Sequence, residues 1–442
     1  MLDLVVRNAR LRGAEKRTDI AVDGGIIRKI GPALEEQGRE EIDAGGNLTT
    51  PPLCDPHLHL DAVLSVGDPR FNASGTLLEG IQIWGERKPR LTRRELVDNA
   101  VEAVLWEFAQ GVQFIRTHAD VTDPSLLTLE ALLEVKDRVK DLVEVQIVAF
   151  PQDGVFTFPE GEALMRRALD MGADVVGGIP HNELTREDGV RDVELAFELA
   201  RKHDALIDIH CDETGDDQSR FVEVMAARAL STGMGERVTA SHATAMHNYH
   251  NDYAFKLLGI AERSKMNFIT NPFDNSVLQN RTEGYPRRRG HTRVDEMHAR
   301  GINVCIGHDS IMDPWYPLGK GSMLQAANLL LHTAHMSGYE QIFALFDMIT
   351  ANSAKTLQVE DRYGIEAGKP ANFAVWDAED EFDAIRRESD CLYAVRRGVV
   401  ALKTRPAVRS LDLGGFRRDV DLRVPVRGVE PRGGEVPGQR RR

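Results

Sequence analysis

Two histidines two residues apart, His57 and His59, close the apolar run that starts at Leu53. On a β-strand residues i and i+2 share a face, so both imidazoles can aim at one point, as a metal ion requires of its ligands. The pair alone is a weak signal. With 14 His in 442 residues, chance yields roughly 0.4 such pairs. Three further largely apolar runs end in similar chemistry. Residues 206–209 lead into His210-Cys211-Asp212-Glu213, residues 238–240 into Ser241-His242, and residues 302–306 into Gly307-His308-Asp309-Ser310. Neutral imidazoles and a carboxylate are the donor set preferred by zinc or ferrous iron.

Side chains so far apart in the chain meet only if a fold gathers strand ends. From Leu53 onward, apolar strands (53–57, 113–118, 144–150, 173–179, 206–210, 238–242, 266–270, 302–307) alternate with helical stretches (93–110, 161–171, 193–203, 219–231, 294–300, then 323–357). That alternation predicts β/α units on a parallel sheet. Eight units in about 300 residues is the size of a TIM barrel, whose active site lies at the C-terminal ends of its strands. The histidines fall at those ends. Residues 1–52 read as short strands with a hairpin signal at Asp23-Gly24-Gly25, and strands return over 363–415 with a turn at Arg397-Gly398. The two ends are expected to build one small β-domain around a barrel of residues 53–362. Residues 416–442, rich in Gly, Pro and Arg, are expected to be a poorly ordered tail.

The bulk composition narrows the partners. A formal net charge of −14 disfavours a nucleic-acid backbone and leaves a small neutral ligand compatible. The four cysteines, Cys54, Cys211, Cys305 and Cys391, show no CxxC spacing, which fits a reducing cytoplasm. No run of 18 apolar residues occurs, so no membrane span is expected, and the first residues lack the features of a signal peptide.

Several motifs in order carry a resemblance. They are His57-Leu58-His59-Leu60-Asp61, Ser74-Gly75-Thr76-Leu77, Ala149-Phe150-Pro151-Gln152, His210-Cys211-Asp212-Glu213, and residues 240–247 around His242. Gly307-His308-Asp309 and Asp313-Pro314-Trp315-Tyr316-Pro317-Leu318-Gly319 complete the set. From near residue 1 to about residue 405 the chain resembles the amidohydrolase superfamily and, within it, the bacterial cytosine deaminase family. The resemblance implies an α/β chain: a distorted (β/α)8 barrel with a small β-sandwich. It implies one divalent ion, zinc or iron, held by His57, His59, His210 and Asp309. Binuclear relatives use a strand-four lysine, and residues 173–180 contain none. The implied reaction is attack of hydroxide on the ring carbon that bears an amino group, with Asp309 taking the water proton. Glu213 would protonate the neighbouring ring nitrogen, and His242 would polarise the water and stabilise the tetrahedral state. Gln152 and the Leu77 backbone would hold the substrate's polar edge, with Trp315 as an apolar wall. A small nucleobase substrate, a cytoplasmic setting and a homo-oligomer are the further expectations.

One residue departs from the family pattern. After the strand-eight histidine the family carries two aspartates, whereas this chain has Asp309-Ser310. A methyl group packed on a carboxylate is unfavourable through lost carboxylate solvation, and serine removes that objection. The expectation is a pocket that admits a substituent at ring position five, as in 5-methylcytosine. Other readings remain open: another small N-heterocycle such as isoguanine, creatinine or a triazine, or a cyclic-amide hydrolase. The zinc cytidine-deaminase arrangement is excluded, because its C-x-x-C is missing.

Overall fold

The computed structural model describes residues 1–288 and 290–423. The chain divides into two units. The smaller is built from Met1–Pro52, Ala109–Gly111 and the chain from Glu360 onward. Its first sheet runs β3 (Ile26–Gly31), β2 (Thr18–Asp23), β1 (Leu2–Ala9), β4 (Gly38–Asp43). The short β5 (Thr49–Thr50) belongs to a second sheet, described below with its C-terminal partners.

The larger unit, Leu53–Phe108 with Val112–Val359, is the barrel. Its strands are β6 (Leu53–Leu58), β7 (Val112–Asp120), β8 (Glu144–Phe150) and β9 (Val175–Val176). They continue as β10 (Leu206–Cys211), β11 (Val238–His242), β12 (Asn267–Thr270) and β13 (Asn303–Ile306). All eight pair in sequence order and in parallel. Helices cover the outside, so nearly every strand residue is buried. Burial on both faces makes the polar residues inside these strands conspicuous.

The ring closes where three candidate ligands, His57, His59 and Asp309, sit. Leu58 bridges to Asp309 in parallel. The Asp309 amide donates to the His57 carbonyl at 2.8 Å, and the His59 amide donates to the Asp309 carbonyl at 2.9 Å. His242 and Asp309 both adopt left-handed backbone angles, φ 66° and 73°. Non-glycine residues there cost about 1–3 kcal/mol each and concentrate at functional sites. Strand four is shorter than the expected 173–179. The Gly177 amide still donates to the Ala149 carbonyl at 2.9 Å, and the Gly178 carbonyl accepts from the His210 amide at 3.0 Å. A Cβ on Gly177 would lie 2.4 Å from the Ala149 oxygen, so the close approach that replaces regular pairing demands glycine. The helix expected at 193–203 starts earlier, at Arg186. Thr185 caps it by accepting from the Asp188 amide at 3.1 Å.

In the smaller unit the second sheet runs β16 (Val399–Lys403), β15 (Cys391–Arg396), β14 (Phe373–Trp376), β5. The N-terminal β5 thus completes a C-terminal sheet. Alternate residues of the two sheets share one core: Leu4, Val6, Ile20 and Val22 with Phe373, Val375 and Val395. That is the period-two packing of a β-sandwich. Phe416, where an unordered tail is expected, instead opens β18 (Phe416–Asp419), paired with β17 (Ser410–Leu413). The rest of the expected tail, from residue 424, lies outside the described residues. All four cysteines are buried thiols outside any disulfide. Among the described residues no helix is long and apolar enough to cross a membrane.

Candidate active site

At the C-terminal mouth of the barrel the expected ligands meet. His59 Nε2 lies 3.1 Å from His210 Nε2. Asp309 Oδ1 lies 3.5 Å from His57 Nε2 and 3.6 Å from His59 Nε2. His118, at the end of β7, joins them. Its ring sits 4.1 Å from His57 and stacks 4.8 Å from His59. One nitrogen each from His57, His59, His118 and His210 lies within 4.8 Å of the others, as do ligand atoms of His57, His242 and Asp309.

These residues fit a divalent cation. Burial and neighbouring rings push the imidazoles of His57 and His210 well below their usual range, and burial takes His59 to about 4. The rings are therefore neutral near pH 7. Two neutral imidazole nitrogens facing each other at 3.1 Å need a proton or a cation between them. His57 Nε2 is buried with no hydrogen-bond partner, which is costly unless a ligand completes it.

A buried chain of side chains sets the tautomer of His57. Arg116 Nη1 donates to Asp208 Oδ2 at 2.9 Å, and Ser241 Oγ donates to Asp208 Oδ1 at 2.6 Å. With its proton committed, Ser241 Oγ accepts from His57 Nδ1–H at 3.0 Å. The lone pair is then left on Nε2, facing Asp309. Removing this support by Ser241→Ala should weaken metal affinity about 10- to 100-fold, the usual cost of losing a ligand's orienting partner. Competition against a chelating indicator measures it, and an unchanged affinity would remove Ser241 from that role.

Beside the cluster, burial raises the Glu213 carboxyl to about 8, so it carries a proton at neutral pH. Gln279 Nε2 donates to its Oε1 at 3.1 Å, and His242 Nδ1 lies 3.6 Å from the same oxygen. The side-chain amides of Asn271 and Asn275 contact the His242 ring at 3.2 and 3.0 Å. Glu213, Gln279 and His242 border one cavity of about 630 Å³, within the range of small-molecule sites. Gln152, Leu77, Ser310 and Trp315 line it together with His59, Glu213 and Asp309. Leu77 opens the helix Leu77–Arg87, whose cap is Thr76. Trp315 packs on that helix at Gly80, where a Cβ would lie 2.4 Å from the indole Cδ1. Its indole is 6.3 Å from the His59 ring. Every residue singled out in the sequence for this site is thus gathered in one place.

Three features escaped the sequence reading. His118 could have been found, because it ends a strand in the same way as His210. Arg116 and Asp208 are buried charges in mid-strand, and only the closed barrel pairs them. The third feature lies at Ser310, whose hydroxyl donates to Asp274 Oδ2 at 2.8 Å. Asp274 also lines the cavity. It comes from the short helix Pro272–Leu278 after β12, the one late strand end without a histidine.

The comparisons with known proteins agree with this geometry. The amidohydrolase family pattern (Amidohydro_3) matches residues 40–402. N-isopropylammelide isopropyl amidohydrolase of Pseudomonas sp. (strain ADP) is 31% identical over 91% of this chain and 97% of that protein. Among solved structures, 5-methylcytosine deaminase from Klebsiella pneumoniae, liganded with 5-fluorocytosine, superposes with a TM-score of 0.89. It is 46% identical and covers 91% of this chain and 98% of that one. N-isopropylammelide isopropylaminohydrolase from Burkholderia multivorans superposes with a TM-score of 0.78 at 26% identity, covering 90% and 98%. With a matching pattern over most of its length and a histidine–aspartate centre at the mouth of its barrel, the chain belongs to the amidohydrolase family and is a hydrolytic enzyme of the deaminase type.

Proposed function

We propose that the protein hydrolyses the exocyclic amino group of a free pyrimidine base, cytosine or 5-methylcytosine, giving uracil or thymine and ammonia. The observation that carries this reading is Glu213, a carboxyl buried in the same cavity as the histidine–aspartate cluster, where burial raises its pKa to about 8. A cation held by His57, His59, His210 and Asp309 would supply Lewis acidity that lowers the pKa of water. Asp309, which burial and the nearby Asp274, Glu213 and Asp313 carboxyls hold above its ordinary range, accepts the proton of the attacking water. Glu213 gives its proton to the ring nitrogen beside the attacked carbon and assists the departure of ammonia. His242, kept neutral by burial and held by two asparagines, polarises the attacking water and stabilises the tetrahedral state. Gln152 presents both a donor and an acceptor to the carbonyl and N–H edge of the ring. The Leu77 backbone at a helix N-terminus borders the same edge. Trp315 excludes water from one face.

The choice of pyrimidine rests on the 46% identity to the Klebsiella 5-methylcytosine deaminase and on Ser310 in place of a second aspartate. The 31% identity to an enzyme named for N-isopropylammelide keeps a triazine as the second reading. An ammonia-release screen over cytosine, 5-methylcytosine, isoguanine, creatinine and ammelide tests both. The expected result is turnover of the two pyrimidines, with kcat/KM for 5-methylcytosine at least equal to that for cytosine. Ser310→Asp should lower that ratio by about tenfold or more, the scale on which a pocket distinguishes one methyl group. Turnover of ammelide alone would replace this reading by the second.

A further inference from the structure

Ser310 is small, but small size alone does not make an apolar niche. A serine hydroxyl rotates among three staggered positions. A free hydroxyl beside a pocket can turn inward and hold water where a methyl group should sit. In this structure the rotation is stopped. Ser310 Oγ donates to Asp274 Oδ2 at 2.8 Å, and both residues are about 2% exposed. Asp274 is placed by the helix Pro272–Leu278, which leaves the end of β12. The carboxyl of Asp313 also neighbours the Ser310 side chain, while its Oδ1 accepts the Trp315 and Tyr316 amides at 2.9 Å each. The 2.8 Å bond turns the Ser310 hydroxyl toward Asp274, and both residues line the cavity.

We infer that Asp274 is a positioning residue for substrate selectivity: by holding the Ser310 hydroxyl it keeps the space beside ring position five free for a methyl group. This rests on the pyrimidine reading above. It changes the account of that wall. A carboxylate is present near the substituent, but its Oδ2 is occupied in accepting the serine hydroxyl. Selectivity then belongs to the pair and not to Ser310 alone.

The test is a cycle of Asp274→Ala, Ser310→Ala and the double variant, with Asp274→Asn as the conservative replacement. The readout is the ratio of kcat/KM for 5-methylcytosine to that for cytosine, with metal content and Tm recorded for each protein. Asp274→Ala should lower the ratio about tenfold. Asp274→Asn keeps an acceptor oxygen for the serine hydroxyl and should retain the ratio to within about threefold. With Ser310→Ala already present, Asp274→Ala should leave the ratio unchanged, because contacting residues that act as a unit are non-additive. A merely structural role would lower Tm or metal content without moving the ratio. An unchanged ratio in Asp274→Ala, or an equal change in the Ser310→Ala background, overturns the inference while the pyrimidine reading stands. Absence of ammonia release from either base by the wild-type protein overturns both.

Discussion

Stripping the divalent ion with a chelator is expected to lower ammonia release by more than ~10³-fold and to lower Tm, and readdition of zinc or ferrous iron should restore both. The rate effect follows from Lewis-acid catalysis worth several kcal/mol, at about 1.4 kcal/mol per factor of ten. The stability effect follows from linkage. A ligand that binds only the folded state adds about 4 kcal/mol when present at ~1000 times its Kd. Here the ion would complete His57 Nε2, which is buried without a partner. It would also relieve the facing nitrogens of His59 and His210 at 3.1 Å. Elemental analysis, a thermal melt and an ammonia assay on the same preparation read all three. Full activity in protein shown to contain no metal would refute the assignment of these histidines. His59→Ala should reproduce the chelated state, with metal content and activity lost together.

The second large effect is expected from Glu213→Gln. Metal content should survive while kcat/KM falls at least ~100-fold, the lower range for loss of a general acid. Glutamine preserves shape and can still meet Gln279 and His242, so Tm should change little. The pH profile separates this role from a structural one. Burial holds the Glu213 carboxyl at about 8, so the proton it must donate is present below that pH and lost above it. Activity should therefore fall on the alkaline side, with an apparent pKa no higher than about 8, because a nearby cation favours the charged form. In Glu213→Gln the residual activity should lose that alkaline limb. If the limb persists unchanged in the variant, it reports another group and Glu213 is not the acid.

Much of this site is legible along the chain because a barrel turns strand ends into a single locus. His57 and His59 are a weak signal by themselves. They become a strong one when His210, His242 and Asp309 recur at the ends of later strands. The small domain is legible for a simpler reason, since period-two apolar residues at both chain ends need a shared face to bury. What remained hidden depends on contacts across the barrel. Asp208 is a polar residue in mid-strand until the ring brings it 2.9 Å from Arg116 and 2.6 Å from Ser241. The protonation of Glu213 is set by burial, which has no local signature. Asp274 lies on a short helix whose start, Asn271-Pro272, reads as a strand exit, so its meeting with Ser310 is visible only in three dimensions.

The sequence by itself determined the fold class, and through the family resemblance it pointed to the proposed donor set His57, His59, His210 and Asp309 and the proposed acid Glu213. The recurrence of histidines at strand ends rests on residue type and position, which are local properties. The tertiary structure alone decided which neighbours meet those groups: Ser241 at His57 and Gln279 at Glu213, with Asp274 bonded to Ser310. Hydrogen bonds between residues tens to hundreds of positions apart require a direction as well as a distance, and only the closed barrel supplies both.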